Sequence, residues 1–270
     1  MQMIMKHFLL VSVIALLFIA TGCEVEDSEQ DFPFELKLVV RGVLEANKPV
    51  QDIYVGRTLP ISYNFDKSFA DLIDATVAIL YRDSLYVLRH KKDGLYFTNG
   101  LVPAQGETYK LLVQWKSYFA TAETTVPIIG TVEEVELKTY LGTQVPQRYI
   151  ECSIKPYINE AYALTWVSLT SGNNVTAEAI EFNGVMKKGL QAYDGFMKVI
   201  TDTITPGILT ETLGYRIHAF DVRFYDYFVT QNTNKVSDAV FGQPNSNVKW
   251  NVQGDGIGIF FAKSDTVRRL

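Results

Sequence analysis

Cysteine and histidine are almost missing from this chain. Of 270 residues, two are cysteine (Cys23 and Cys152) and three are histidine (His7, His90 and His218). Such scarcity excludes a disulfide framework, and no CxxC pair, HExxH helix or EF-hand loop supplies a metal site. A GxSxG elbow is also missing, so no local motif marks a serine nucleophile, and a Ser, His and Asp triad would need residues from distant parts of the chain. Positive charge is not in excess: 25 Lys and Arg against 30 Asp and Glu leave a net charge of −5. A nucleic-acid partner, which requires clustered cations, is therefore not expected. Nor does an apolar run reach the length that spans a bilayer; Phe8 to Ala20 holds thirteen residues where about 20 are needed.

What is present starts at the N-terminus. Lys6 and His7 precede the apolar stretch, which ends in the small residues Ala20, Thr21 and Gly22. This is the layout of a secretory signal, and Cys23 directly after Gly22 turns its end into a bacterial lipobox. Ala20 stands where that pattern more often has leucine. The expectation is removal of residues 1–22, acylation of Cys23 and attachment to the membrane through that lipid. Glu24, Glu26, Asp27, Glu29 and Asp31 then place five acids in eight residues. A run of one sign and low hydrophobicity cannot bury enough surface to fold, so 23–33 reads as a solvated tether. Acids directly behind the acylated cysteine resemble the export signal of surface lipoproteins in Bacteroidota, which implies a cell-surface address on the outer membrane.

With Cys23 acylated, Cys152 has no partner for a disulfide. It lies on the apolar side of the alternating YIECSIK stretch and is expected to be a buried, inert thiol. The mature chain reads as strands separated by turns. LKLVVRGVL opens it, followed by DIYVGRT, a loop from Leu59 to Asp71, and ATVAILYRD. A turn at Asp83 and Ser84 leads to LYVLRH, and Lys91 to Gly94 make a hairpin turn before LYFTNG. TYKLLVQW and YFATAETTV form a hairpin around Lys116 and Ser117. These strands indicate a β-sandwich over 34–127, with Pro127 to Gly130 as the linker to a second β-rich domain over 131–270.

In the second half VEEVELKTYL alternates, with Val132, Val135 and Leu137 as core contacts. RYIECSIKPY and YALTWVSLT read as neighbouring strands joined by a turn at Ile158 to Glu160, and Asn173 and Asn174 make another turn. The order of 186–207 is not readable. LGYRIHAF is a strand, and Asp221 is placed to cap a short helix along which Val222, Tyr225, Phe228 and Val229 recur at helical spacing; the same run also alternates as Phe220, Val222 and Phe224, the period of a strand. WNVQGDGIGIFFAKS closes the domain as a strand kinked by glycine.

An ordered set of segments carries a family resemblance. The lipobox and acidic tether are followed by LVVRG, ATVAI, DGLYF, GETYKLLV and YFATAETTVP, and later by YDYF, FGQP and WNVQGDGIGIFFA. Over nearly the whole mature chain this resembles the Bacteroidota outer-membrane lipoprotein family known as domain of unknown function 4249. The first half alone also resembles the immunoglobulin-like or transthyretin-like sandwiches of transporter-associated proteins. The family resemblance implies an outer-membrane lipoprotein whose genes often neighbour TonB-dependent transporters, and it brings no catalytic residues or cofactor. The fold expected is thus mainly β: an immunoglobulin-like or transthyretin-like sandwich, then a second antiparallel domain with a short helix.

Few residues offer chemistry. His218 in YRIHAF reads as a packed or hydrogen-bonded histidine. Gly254, Gly256 and Gly258 lack the helix that a phosphate-binding loop requires, and Glu133 and Glu134 are adjacent, so on a strand they point to opposite faces. Tyr225, Tyr227 and Phe228 are candidates for a stacking platform toward a glycan or a partner, or for core filling. Asp83-Ser84-Leu85, Asp202-Thr203-Ile204 and Asp265-Thr266-Val267 match a short Bacteroidota O-glycosylation pattern, marking Ser84, Thr203 and Thr266. The function expected is a non-enzymatic accessory of a TonB-dependent transport system; the alternative is an independent surface glycan-binding or adhesion lipoprotein.

Overall fold

The computed structural model describes residues 34–60, 66–140, 146–170, 172, 174–178, 186–189, 192, 194–204, 212–241 and 248–270, with the backbone alone for 232–241. Cys23, the signal segment, the tether and Asn173 lie outside the described residues. Residues 36–270 form one compact unit.

The first half holds β1 (Leu38–Glu45), β2 (Val50–Arg57), a single helical turn α1 (Lys67–Ala70), β3 (Thr76–Tyr81), β4 (Ser84–Val87), β5 (Arg89–Lys92), β6 (Leu95–Thr98), β7 (Thr108–Trp115) and β8 (Tyr118–Thr125). The second holds β9 (Thr131–Tyr140), β10 (Gln147–Lys155), β11 (Glu160–Leu169), β12 (Val175–Glu178), β13 (Lys187–Lys188), β14 (Met197–Ile200) and β15 (Thr212–Asp221). Helix α2 (Val222–Phe241) follows, then β16 (Gln253–Gly254) and β17 (Gly256–Arg269).

Local chemistry explains the hairpins. Asp93 and Gly94, with φ of 49° and 70°, make the tight β5–β6 turn that an Asp-Gly pair favours. Strand β7 alternates exposed and buried residues and pairs with β8 up to Trp115 and Tyr118, across Lys116 and Ser117. The loop expected over Leu59 to Asp71 contains α1, which Asp66 caps by accepting a hydrogen bond from the Ser68 N–H at 2.9 Å.

Three sheets form. A nine-stranded sheet runs β12-β11-β15-β17-β1-β2-β6-β5, with β13 also paired to β11. A five-stranded sheet, β16-β8-β7-β3-β4, and a three-stranded sheet, β14-β10-β9, accompany it. One apolar core joins Leu38, Val40, Ile53 and Phe260 of the large sheet to Val77, Ile79, Leu111 and Val113 of the five-stranded one. Another joins Tyr162, Leu164 and Ile217 to Ile150, Cys152, Ile154 and Val199. The molecule is therefore mainly β, with two sandwiches sharing one long wall.

Strand β17 makes that wall continuous. Its first part pairs with β1 in parallel, from Leu38↔Gly256 to Glu45↔Lys263, and its last part pairs antiparallel with β15, from Phe220↔Lys263 to Gly214↔Arg269. The boundary expected between 127 and 131 is crossed by this strand, because the C-terminus completes the N-terminal sandwich. The β1–β17 pair is parallel, whereas the β17–β15 pair is antiparallel. Gly258 permits the former: φ is +133°, and a Cβ there would stand 1.8 Å from the Val40 carbonyl oxygen.

Two further expectations are corrected. Strands β10 and β11 are not paired neighbours. β10 pairs with β9 and β14, whereas β11 pairs with β12, β13 and β15, so the two face each other across a core. Leu137 is 39% exposed and so is not a core contact, although Val132 and Val135 do pack inward. The register shifts between Ser153 and Ile154, passing over Glu133. That bulge lets Val132 and Val135 face the same way despite their odd spacing.

The linker between the halves is gripped by buried polar groups. Asp221 accepts hydrogen bonds from the Thr124 hydroxyl at 2.8 Å and the Thr125 N–H at 2.9 Å. Ser264 donates to the Pro127 carbonyl at 2.6 Å, and the Ile128 N–H donates to Glu160 at 2.7 Å. Burial raises the Glu160 carboxyl above its ordinary range, opposed by the Tyr162 hydroxyl and the Ile128 N–H that donate to it.

Candidate functional site: an aromatic helix beside a polar belt

Strand β15 runs without a break into α2. Asp221, the last residue of the strand, uses its Oδ1 to accept the Arg223 N–H at 2.9 Å, which satisfies one of the free donors of the first turn. The helix expected here as short has twenty residues. Its 3.6-residue period turns Phe224, Tyr225 and Phe228 toward Ala161, Ala163, Met186, Phe220 and Phe261 on and beside the large sheet. Phe224 stacks on Phe261 at 4.1 Å between ring centroids and lies 4.8 Å from Phe220. The Lys188 ammonium sits 4.9 Å over the Tyr225 ring and bonds Asp226 at 2.6 Å.

Tyr227 extends the cluster toward the surface, with its ring 6.3 Å from Phe224. The same ring lies 5.3 Å from Trp250, which is 44% exposed. The Lys249 N–H donates to the Thr230 hydroxyl at 3.0 Å, fixing the Trp250 segment to the helix. Of the three aromatics singled out by sequence, Tyr225 and Phe228 thus belong to the packed side. Tyr227 is half-buried and joins Trp250 in an outward pair. Trp250 was not foreseen: WNVQGDG was readable only as the approach to a strand, and exposure leaves no mark in one sequence.

A polar belt adjoins this cluster on the large sheet, linked to it by the His218 ring stacked near Phe220 at 6.0 Å. His218 Nε2 is 3.0 Å from the Thr165 hydroxyl and Nδ1 is 2.9 Å from Asp265. Lys263 bonds Asp265 at 3.2 Å and Glu45 at 3.4 Å, while Arg216 pairs with Glu178 at 2.8 Å. Desolvation pushes the Asp265 carboxyl upward, yet His218 and Lys263 outweigh it and hold the group at about 2.

The Thr165–His218–Asp265 order resembles a nucleophile, base and orienting acid. It cannot serve as one in this state. Thr165 is 2% exposed in the middle of β11, and β11 is buried at all ten positions, so a substrate has no approach to the hydroxyl. The belt instead crosslinks the strands, and His218 is a hydrogen-bonded histidine as its sequence setting indicated. Among the described residues no three His, Cys, Asp or Glu side chains converge as a metal site.

The remaining marked residues scatter. Ser84 is exposed at the start of the edge strand β4, and Thr203 is exposed with its hydroxyl 3.4 Å from Gln147. Thr266 is half-buried within β17 and lines a surface cleft of about 290 Å³ with Gln105, Thr131, Val132 and Arg268. Cys152 is fully buried, and burial pushes its thiol up to about 12. Gly256 and Gly258 lie in a strand rather than a phosphate loop.

No curated protein matches the chain. Among solved structures, the crystal structure of bovine butyrophilin aligns with 67% of this chain and 91% of its own at 8% identity, with a TM-score of 0.21; nothing is inferred from so slight a likeness. A family model, described as domain of unknown function DUF4249, matches residues 23–269. Because that match runs from the candidate lipidation site through the final strand, the chain belongs to the DUF4249 family.

Proposed function

We propose that this chain is a surface lipoprotein, anchored to the outer membrane by acylated Cys23, that acts without catalysis as a binding component of a TonB-dependent transport system. The observation that carries the reading is the pairing of Tyr227, on a helix whose Phe224, Tyr225 and Phe228 pack toward the sheet, with the exposed Trp250. Rigidly held, partly exposed Tyr and Trp are the side chains that dominate protein and sugar interfaces. The lipobox and the acidic tether support the address, and the buried position of Thr165 supports a non-enzymatic role. In a strain lacking the gene, uptake through the adjacent transporter should fall. The wild-type gene should restore it, and a Tyr227→Ser/Trp250→Ser variant made at equal level should not. Unchanged uptake of every nutrient carried by that transporter would defeat the proposal.

The same pair favours one alternative, an independent glycan-binding lipoprotein, since a sugar ring stacks on an aromatic face. Binding of the purified chain to a polysaccharide, lost in the same double variant while uptake is unaffected, would select that reading.

A further inference from the structure

One end of the first sandwich combines exposed apolar side chains with cations where the chain enters the fold. β1 begins there, with Leu38 opposite Arg57 and the Lys37 N–H bonded to the Thr58 hydroxyl at 2.9 Å. The segment carrying α1 crosses the same end: the Leu72 N–H donates to Val55 at 3.2 Å, and Arg57 donates to the Phe69 carbonyl at 2.9 Å. The β5–β6 turn completes it, since the Val55 N–H bonds Gly94 at 2.8 Å and Lys67 reaches the Asp93 carbonyl at 3.4 Å.

Phe69 and Ile73 project from this end at 56% and 65% exposure. The edge strand β5 beside them reads Arg89, His90, Lys91 and Lys92, all exposed, in a chain whose net charge is −5. Four of the neighbouring carboxylates are engaged, and Asp93 in the β5–β6 turn is the exposed exception. Asp66 caps α1, Asp71 pairs with Lys67, Asp74 accepts the Trp115 indole N–H and Asp52 pairs with Lys91. Arg89 and Lys92 have no carboxylate partner among the described residues. Lysine on an edge strand also discourages edge-to-edge pairing, but that role does not call for an exposed Phe and Ile alongside it.

We propose that this end rests on the membrane, with Phe69 and Ile73 entering the headgroup boundary and the β5 cations meeting lipid phosphates. Apolar side chains beside Lys and Arg are the chemistry of interfacial attachment. The occupant is a lipid surface because the chain leading from the candidate anchor at Cys23 joins the fold at this end, with fourteen residues between Cys23 and Leu38. The inference rests on the lipoprotein reading and adds an orientation to it: a second attachment that holds α2 and Trp250 in a set pose relative to the bilayer.

The test uses the full mature chain with Cys23→Ser, so that no acyl chain contributes, in co-sedimentation with vesicles of phosphatidylglycerol and phosphatidylethanolamine and with neutral phosphatidylcholine vesicles. Binding should favour the anionic vesicles and should weaken about tenfold or more in Lys91→Ser/Lys92→Ser and about tenfold in Phe69→Ser/Ile73→Ser. It should also be lost in about 0.5 M salt, where screening is nearly complete. A control pair on the outer face of β4, Leu85→Ser/Val87→Ser, should bind as the parent does. Circular dichroism confirms that each variant is folded. Absence of vesicle binding by the parent, equal binding by the variants, or an equal loss in the control pair would overturn the proposal. Failure of the lipoprotein reading would show separately, as native protein whose mass lacks acyl groups on Cys23.

Discussion

Replacing Asp221 with alanine tests how the two halves are joined. Asp221 is 3% exposed and accepts four hydrogen bonds: from the Thr124 hydroxyl, the Thr125 N–H, the Arg223 N–H and the Arg223 guanidinium. The Arg223 side chain is 41% exposed, so solvent screens that pair and it adds little. Three contacts remain. Loss of the helix cap costs about 1 kcal/mol, and leaving the Thr124 hydroxyl and Thr125 N–H without a charged acceptor costs roughly another 1–1.5 kcal/mol each. The total is about 3–4 kcal/mol. For a unit of this size each kcal/mol moves Tm by about 2–4 °C, so calorimetry should record a fall of roughly 6–16 °C. Thr124→Val alone should cost about 1 kcal/mol and should cost almost nothing further once Asp221 is alanine. A Tm change under about 2 °C, or full additivity of the two substitutions, would refute the clamp.

Other consequences follow from single contacts. Asp265 is held at about 2 against an ordinary 3.8, so its contribution of about 2 kcal/mol is present above pH 3.8 and is lost as pH falls toward 2. Asp265→Asn should flatten that acid limb in denaturant titrations, and an unchanged limb would contradict the assignment. Glu160 has the opposite sign: its raised pKa favours the protonated folded state, so stability should decline as pH rises from 4.5, a slope that Glu160→Gln should remove. Cys152, buried with its thiol pushed up to about 12, should resist an aromatic disulfide reagent in the native protein and react within seconds in denaturant; rapid native labelling would contradict its burial. Gly258→Ala should cost at least about 3 kcal/mol by urea unfolding, because φ of +133° and the Val40 carbonyl leave no room for a Cβ.

What the sequence revealed was local. The Asp93-Gly94 turn, the β7–β8 hairpin, the buried Cys152 and the cap at Asp221 each depend on a few neighbouring residues, and a period or a turn residue encodes them. Long-range pairing was not encoded in that way. β10 and β11 both look like ordinary strands separated by a short turn, and it is the pairing of β11 with β12, β13 and β15 that places it in a different sheet. The parallel β1–β17 pair joins the two ends of the folded unit, and no short-range pattern reports a partner more than 200 residues away. Helix α2 read as short because the run of apolar residues at helical spacing stops at Val229 and Gln231 to Asn234 are polar. For the candidate site, the aromatic content of YDYF was visible, but which ring faces outward depends on Trp250, brought to the helix by the Lys249–Thr230 bond.

The central claim is a partnership at the outer membrane. The most direct measurement is purification of the tagged native lipoprotein from outer membranes in mild detergent, with the co-purifying proteins identified and quantified by mass spectrometry. The account predicts a TonB-dependent transporter in stoichiometric amount, lost from the Tyr227→Ser/Trp250→Ser variant. Recovery of the acylated lipoprotein alone would contradict it.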